Sequence, residues 1–114
     1  MKPPEVRKYL FDIAEACDLI AEFVAGKKFS DYQQDRMLRS AVERQFEIVG
    51  EALLGLLRVA PDLQTRVSDT RRIVAFRNRL IHGYASIADE VVWGVIETNL
   101  DVLRREIAQL IAEG

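Results

Sequence analysis

Apolar residues recur at steps of three and four along almost the whole chain, and this spacing fits little other than packed helices. The first such face consists of seven residues: Leu10, Ile13, Ala14, Cys17, Ile20, Ala21 and Val24. Pro3 and Pro4 suit a first helical turn and Gly26 suits a stop, so we predict a first helix over residues 4–25. The sequence contains no alternating run and no Asn-Gly or Asp-Gly hairpin that would indicate a strand.

A second, longer helix is predicted to begin at Ser30, which forms a capping-box pattern with Gln33, and to continue until Pro61. Its apolar positions keep helical spacing: Leu38, Val42, Phe46, Val49, Leu53 and Leu56 or Leu57. Gly50 and Gly55 interrupt it, and each costs about 1 kcal/mol relative to alanine. We expect another helix or a ligand to approach closely at these glycines.

Two further helices follow a connection over residues 62–67. Ser68 or Asp69 can cap the third helix, which we expect to end at Gly83. Ser86 and Asp89 can cap the fourth, whose apolar stripe continues to the end of the chain. Four amphipathic helices joined by short loops indicate an all-α, up-and-down four-helix bundle, with room for a short fifth helix.

Composition excludes several classes of protein. The 114 residues suit a single domain over residues 1–114, and a net charge of -2 excludes a global basic field for nucleic acid. One cysteine, Cys17, and one histidine, His82, rule out an internal disulfide and a cysteine- or histidine-rich metal cluster within one chain. No apolar run reaches the ~20 residues of a membrane span, and residues 1–5 lack a signal-peptide core. We therefore expect a cytoplasmic protein that needs no membrane and no cofactor.

Positive charge is concentrated between Arg66 and Arg79, a stretch with five arginines and one acid. It leads into the segment Arg-Asn-Arg-Leu-Ile-His-Gly-Tyr at residues 77–84. At about 100° per residue, Arg77 falls within the apolar stripe of the third helix and should be partly buried. A partly buried guanidinium keeps its charge and needs an anion, which is either a carboxylate of the protein or a phosphate of a ligand.

The helix end decides whether His82 can work with Arg77. In a continuous helix the two side chains would lie about 140° apart, too far to act on one group. Gly83 permits the left-handed conformation that ends a helix, so both side chains can line one edge of a cleft. An imidazole can take a proton from a ribose 2′-hydroxyl while an arginine binds the phosphate. This pairing describes a metal-independent ribonuclease.

A single histidine also bears on assembly. In-line cleavage of RNA by paired proton transfer uses a base for the 2′-hydroxyl and an acid for the leaving oxygen, and one chain supplies one imidazole. A symmetric dimer supplies two. We therefore expect a twofold homodimer in which both Arg77/His82 turns face one groove.

Purely structural roles account for the same residues, and composition alone favours them. His82 at a helix C-terminus complements the helix dipole. Arg77 can pair with Glu47 or Glu51, which lie four apart and flank Gly50 on the second helix. The remaining arginines can form a solvated face, and the two aromatic residues nearby can serve in packing: Arg71, Arg72 and Arg79, with Tyr84 and Trp93. Spacing alone leaves the function open.

Arg77, Asn78, His82 and Tyr84 follow the pattern Arg-Asn-x-x-x-His-x-Tyr, which resembles the Arg-x4-6-His signature of the HEPN superfamily. The His-x-Tyr extension resembles the HepT branch, the toxin of a type VII-like toxin-antitoxin pair whose antitoxin is a minimal nucleotidyltransferase. Residues 41–52 are similar to the second helix of that family, including its Gly-Glu-Ala. The pair Val92 and Trp93 also lies where the family often has it. These similarities cover most of residues 38–100.

The resemblance implies an all-α dimer whose two protomers form one ribonuclease site for an RNA such as tRNA or mRNA. Arg77 would bind and polarise the phosphate, His82 would act as general base or acid, and Asn78 would orient the scissile group. Arg79 is expected to support them. The hydroxyl of Tyr84 would accept AMP from the nucleotidyltransferase antitoxin, and this bulky anion would silence the toxin by filling the cleft and repelling RNA.

Glu47, Glu51 and Arg44 are our own additions to this site, inferred from helical spacing beside Gly50. We expect these side chains to face the third helix and to hold Arg77 in place. An alternative interpretation makes the chain a non-catalytic, nucleotide- or substrate-binding subunit of a nucleotidyltransferase, in which the arginines bind the nucleotide and Tyr84 is only the modified group.

Overall fold

The computed structural model describes residues 1–83 and 87–114, and its regular structure is helical throughout. Within these residues six α-helices follow one another: α1 (Pro4–Val24), α2 (Phe29–Gln34), α3 (Arg36–Val59), α4 (Thr70–Ile81), α5 (Asp89–Val95) and α6 (Asp101–Ala112). A 3-10 helix (Pro61–Arg66) precedes α4, and a π-helical segment (Ile96–Leu100) joins α5 to α6. In the two described ranges no strand is present and no helix is both long and apolar enough to span a membrane. The all-α prediction is confirmed, and α2 is the short additional helix.

The bundle is built around α3, which packs against both α1 and α4, while α1 also packs against α6. Phe46 of α3 and Phe76 of α4 meet edge to face, with ring centroids 5.2 Å apart. Cys17 lies fully buried in the apolar face of α1, as its spacing predicts. Burial raises the pKa of this thiol to about 12, because desolvation disfavours the thiolate.

The predicted start of the second helix is wrong, because the helix is interrupted at Asp35. Asp35 leaves helical geometry with φ -113° and ψ 97°, and its carboxylate accepts a hydrogen bond from the Leu38 backbone at 3.0 Å, which caps α3. Ser30 and Gln33 do not form the expected capping box. Instead, Asp31 reaches back to the backbone N–H of Lys28 at 2.8 Å and begins α2.

Ser68 and Asp69, the two residues expected to cap the third helix, lie directly before α4, but their side chains bond to other parts of the chain. Asp69 precedes α4 in a left-handed conformation with φ 57°, and no side-chain capping bond forms there. Its carboxylate accepts a hydrogen bond from the amide of Asn99, in the π-helical segment, at 3.0 Å. Ser68 bonds to the carboxylate of Glu106 through both its backbone N–H and its hydroxyl. Asp89 is the first residue of α5 and not its cap, because Ala88 occupies the cap position and no side-chain capping bond forms there. The other predicted cap, Ser86, lies outside the described residues.

Candidate active site

Gly50 and Gly55 stand where side chains from other helices contact the backbone of α3. A Cβ added at Gly50 would lie 2.5 Å from Cγ of Arg77, and one added at Gly55 would lie 2.5 Å from two ring carbons of Tyr9. These contacts confirm the expected close approach and identify another helix as its cause. Gly50 therefore allows the stem of Arg77 to lie directly on α3.

Arg77 is partly buried, as the helical stripe predicts. Its Nη1 donates to Oδ1 of Asn78 at 2.9 Å, while its buried Nε finds no acceptor among the described residues. Every Asp and Glu of the chain belongs to the described ranges, and none lies within 4.0 Å of this guanidinium. Of the two anions considered from the sequence, the protein's own carboxylates do not supply one in this structure.

The predicted contact of Glu47 and Glu51 with Arg77 does not form in the described part of the chain. Glu47 pairs with Arg44 at 3.2 Å on the same helix, because the two residues stand one turn apart on α3. Glu51 is exposed and shares a groove with Arg77 without an ion pair. Helical spacing placed both carboxylates on the correct helix but did not determine which cation each would meet.

His82 ends the helix that carries Arg77. α4 stops at Ile81, and His82 is its exposed cap residue, with φ -94° and a backbone N–H that donates to the carbonyl of Asn78 at 3.0 Å. The helix thus ends two residues before Gly83, the predicted end, and the expectation that it does not continue beyond this turn is confirmed. Asn78 thus contacts Arg77 through its side chain and His82 through its backbone, so the residue links the two.

The remaining predicted residues divide into three groups. Arg79 is exposed on α4, and Arg71 and Arg72 are exposed at the start of the same helix. Trp93 packs on Tyr32, with ring centroids 5.5 Å apart, which fits the packing role considered for it. Tyr84, the predicted acceptor of AMP, lies outside the described residues.

A groove of about 470 Å³ runs along α3 beside Arg77, and we call it the α3 groove. Its charged lining comes from α1, α3 and α4: Lys8, Asp12, Arg44, Glu51, Arg58 and Arg77. Tyr9, Ile48 and Leu54 contribute aromatic and apolar surface. His82 is not part of this lining as described, so Arg77 alone belongs to both the groove and the predicted catalytic pair.

The sequence interpretation missed most of this groove. Lys8 and Tyr9 belong to the first helix, for which only the apolar face was considered. Arg58 lies one helical turn after Leu54 and two turns after Glu51, so all three follow one stripe of α3. That stripe and the glycine at position 55 were the available signals.

The region that carries these residues is also similar to known proteins. Residues 13–110 match the HepT-like ribonuclease family. A protein of Caldanaerobacter subterraneus subsp. tengcongensis, named provisionally as an RNase, is 30% identical over 111 residues, which cover 97% of this chain and 96% of that protein. A protein of Thermococcus cleftensis named as a probable ribonuclease HepT is 32% identical over 104 residues, covering 91% and 94% of the two chains. No solved structure gives a significant match.

The family match spans most of the chain and includes α4 with its Arg77, and His82 directly after this helix. The two relatives align with nearly their full lengths, so the similarity extends over the whole domain and is not confined to one short segment. The chain belongs to the HepT-like ribonuclease family.

Proposed function

We propose that this protein is a metal-independent endoribonuclease toxin in which Arg77 binds the scissile phosphate and His82 transfers protons. The observation that carries the proposal is the state of Arg77. Its guanidinium is partly buried, its Nε lacks an acceptor among the described residues, and no carboxylate of the chain pairs with it. A phosphate oxygen is the anion that satisfies such a group.

The chemistry follows from the end of α4. His82 is exposed and lies beyond the last helical residue, so its imidazole can reach a ribose 2′-hydroxyl. Removal of that proton lets the 2′-oxygen attack the adjacent phosphorus, and the 5′-oxygen of the next nucleotide leaves with a proton from an acid. Arg77 stabilises the negative charge that develops on the phosphate. The products are a 2′,3′-cyclic phosphate and a free 5′-hydroxyl.

The acid and the base come from two copies of the chain in this proposal. A single imidazole per chain supports a twofold dimer in which two His82 side chains face one scissile phosphate. The dimer leaves each Arg77 free to contact the phosphate from its own side.

Regulation in this proposal depends on Tyr84. A minimal nucleotidyltransferase antitoxin would transfer AMP to its hydroxyl, two residues from His82. The added phosphate carries negative charge next to the site that must receive an RNA phosphate, and the adenosine occupies the same space. The modification would therefore block RNA binding, while leaving the fold unchanged.

Cleavage of a defined RNA by the purified protein tests the proposal. In the presence of EDTA, wild type is expected to form 2′,3′-cyclic phosphate ends, and His82→Ala is expected to lower the rate by about 100- to 10,000-fold. Arg77→Ala should lower it to a similar extent, whereas Arg71→Ala, on the exposed face of the same helix, should not. An inert wild type would favour the alternative, a non-catalytic binding subunit of a nucleotidyltransferase.

A further inference from the structure

The α3 groove carries more positive charge than the rest of the chain would suggest. Four cationic side chains line it against two carboxylates, although the whole chain has a net charge of -2. Lys8 and Arg44 are already paired, with Asp12 at 2.8 Å and with Glu47 at 3.2 Å. Arg58 and Arg77, by contrast, have no carboxylate within 4.0 Å, and every carboxylate of the chain is in the described ranges. The groove is therefore suited to an anionic ligand.

The uncharged part of the lining limits what kind of anion fits. Tyr9 lies against Gly55, so part of its ring contacts the backbone of α3. Ile48 is half-buried, and Leu54 is 39% exposed, which leaves apolar surface open to a ligand. Aromatic and apolar side chains next to arginines are the lining that binds single-stranded nucleic acid, because bases stack on the former and phosphates contact the latter.

The size of the groove points to a single nucleotide. Its volume of about 470 Å³ lies in the range of pockets that enclose one small organic molecule, about 300–1,000 Å³. Arg77 connects this pocket to His82, the other member of the predicted catalytic pair. It lines the groove, and its guanidinium donates a hydrogen bond to the side chain of Asn78, whose backbone carbonyl accepts one from the N–H of His82. A nucleotide in the groove would thus neighbour the phosphate that Arg77 binds.

We propose that the α3 groove binds the nucleotide adjacent to the scissile phosphate of an RNA strand. Arg58 contacts its backbone phosphate, and its base lies against Tyr9 and Leu54. The inference rests on the proposed ribonuclease function, and it adds a substrate-binding subsite on α1 and α3. Neither Arg58 nor Tyr9 takes part in bond breaking, so both affect binding of the RNA and leave the chemical step unchanged.

Binding of a short fluorescein-labelled single-stranded RNA, measured by fluorescence anisotropy in the His82→Ala background, tests this subsite without cleavage. Arg58→Ala is expected to raise Kd about tenfold, because it removes a charged contact. It should also lower the slope of log Kd against log salt by about 0.7, the value for one phosphate contact with a single strand. Arg58→Lys should keep the slope, and Arg105→Ala, on the exposed face of α6, should change neither quantity.

A second variant tests the base contact independently. Tyr9→Leu is expected to raise Kd at least about fivefold through lost stacking, while the salt slope stays the same. Tyr9→Phe keeps the ring and should bind like the parent.

Failure of the subsite and failure of the ribonuclease function are distinguishable. If wild type cleaves RNA but Arg58→Ala and Tyr9→Leu bind it as tightly as their parent, the subsite is wrong and the function stands. If the protein binds RNA with the predicted effects but wild type never cleaves it, the groove binds RNA, but the ribonuclease function is wrong and with it the place of the groove beside a scissile phosphate. A change of oligomeric state in Arg58→Ala, with no change in Kd per dimer, would make the groove an interface and overturn the subsite.

Discussion

The stem of Arg77 lies directly on the backbone of Gly50, so that position 50 has no space for a Cβ. The two atoms that a Cβ would meet first are Cβ and Cγ of Arg77, which belong to the rigid part of that side chain. The contact sets the distance between α3 and α4 at the predicted active site. It also fixes the position of the side-chain stem from which the guanidinium extends.

Substitution of this glycine should therefore disturb stability and activity together. Gly50→Ala is expected to lower the free energy of unfolding by about 1–3 kcal/mol, since α4 must move away. Gly94→Ala is a matched control, because a Cβ there meets nothing within 4 Å in α5, and it should raise stability by about 0.5–1 kcal/mol. Urea denaturation measures the free energy of unfolding of both variants. Equal stabilisation by the two substitutions would contradict the close contact.

Cys17 should be unreactive in the folded protein. Its pKa is raised to about 12 by burial, so the thiolate that reacts with iodoacetamide is scarce at pH 8 and the sulfur is also inaccessible. Mass spectrometry should detect no alkylation without denaturant and complete alkylation in it. Rapid labelling of the native protein would show that the apolar face of α1 opens.

The same thiol predicts how stability depends on pH. Between pH 9 and pH 12 the unfolded chain loses the thiol proton while the folded protein keeps it, so the unfolded state binds fewer protons and the free energy of unfolding falls as pH rises. Below about pH 7 the thiol is protonated in both states and contributes no such slope. The difference between wild type and Cys17→Ala isolates this effect, and the Cys17→Ala curve should be the flatter one from pH 9 to 11.

The hydrogen bond from Asn99 to Asp69 links the π-helical segment to the start of α4. Asn99 is buried, so Asp69→Ala leaves its amide unsatisfied and should cost about 1–3 kcal/mol of stability. Asp69→Asn keeps an acceptor and tolerates the left-handed backbone, so it should cost less. Thermal or urea denaturation of the two variants compares them. Equal loss would mean that the backbone conformation, and not the hydrogen bond, matters at this position.

Tyr84 should be the acceptor of AMP if the nucleotidyltransferase of the proposed pair is supplied with ATP. Intact-mass measurement is expected to show addition of AMP to wild type and none to Tyr84→Phe. The modified protein should lose RNA cleavage, while unmodified Tyr84→Phe should keep it. Modification of Tyr84→Phe at another residue would contradict this assignment.

The apolar stripes of α1 and α3 predicted the helices because burial follows the helical period wherever a face meets the core. The break at Asp35 was not predictable from the same stripes, since it depends on the bond from the Leu38 backbone N–H to the Asp35 carboxylate, which apolar spacing does not report. The π-helical segment was missed because five residues are too few to separate its period from that of an α-helix.

Within the candidate site, the partial burial of Arg77 and the end of its helix before His82 could be inferred from helical geometry and from Gly83. The partner of Glu47 could not. From α3, the carboxylate of Glu47 could reach either Arg44 on the same helix or Arg77 on the facing helix. It pairs with Arg44, because side-chain orientation, which spacing does not encode, determines the partner. The α3 groove was missed for a related reason: its lining comes from three helices, and only their packing brings Tyr9 and Arg58 near Arg77.

The most direct test of the central claim is the rate of RNA cleavage by a mixed dimer, purified through two different tags, in which one copy is intact and the other carries His82→Ala. In EDTA we predict that wild type forms 2′,3′-cyclic phosphate ends, and that the mixed dimer is about 100-fold or more slower, close to the fully substituted dimer, because acid and base come from different copies. Half of the wild-type rate in the mixed dimer would contradict the shared site, and an inactive wild type would contradict the ribonuclease function itself.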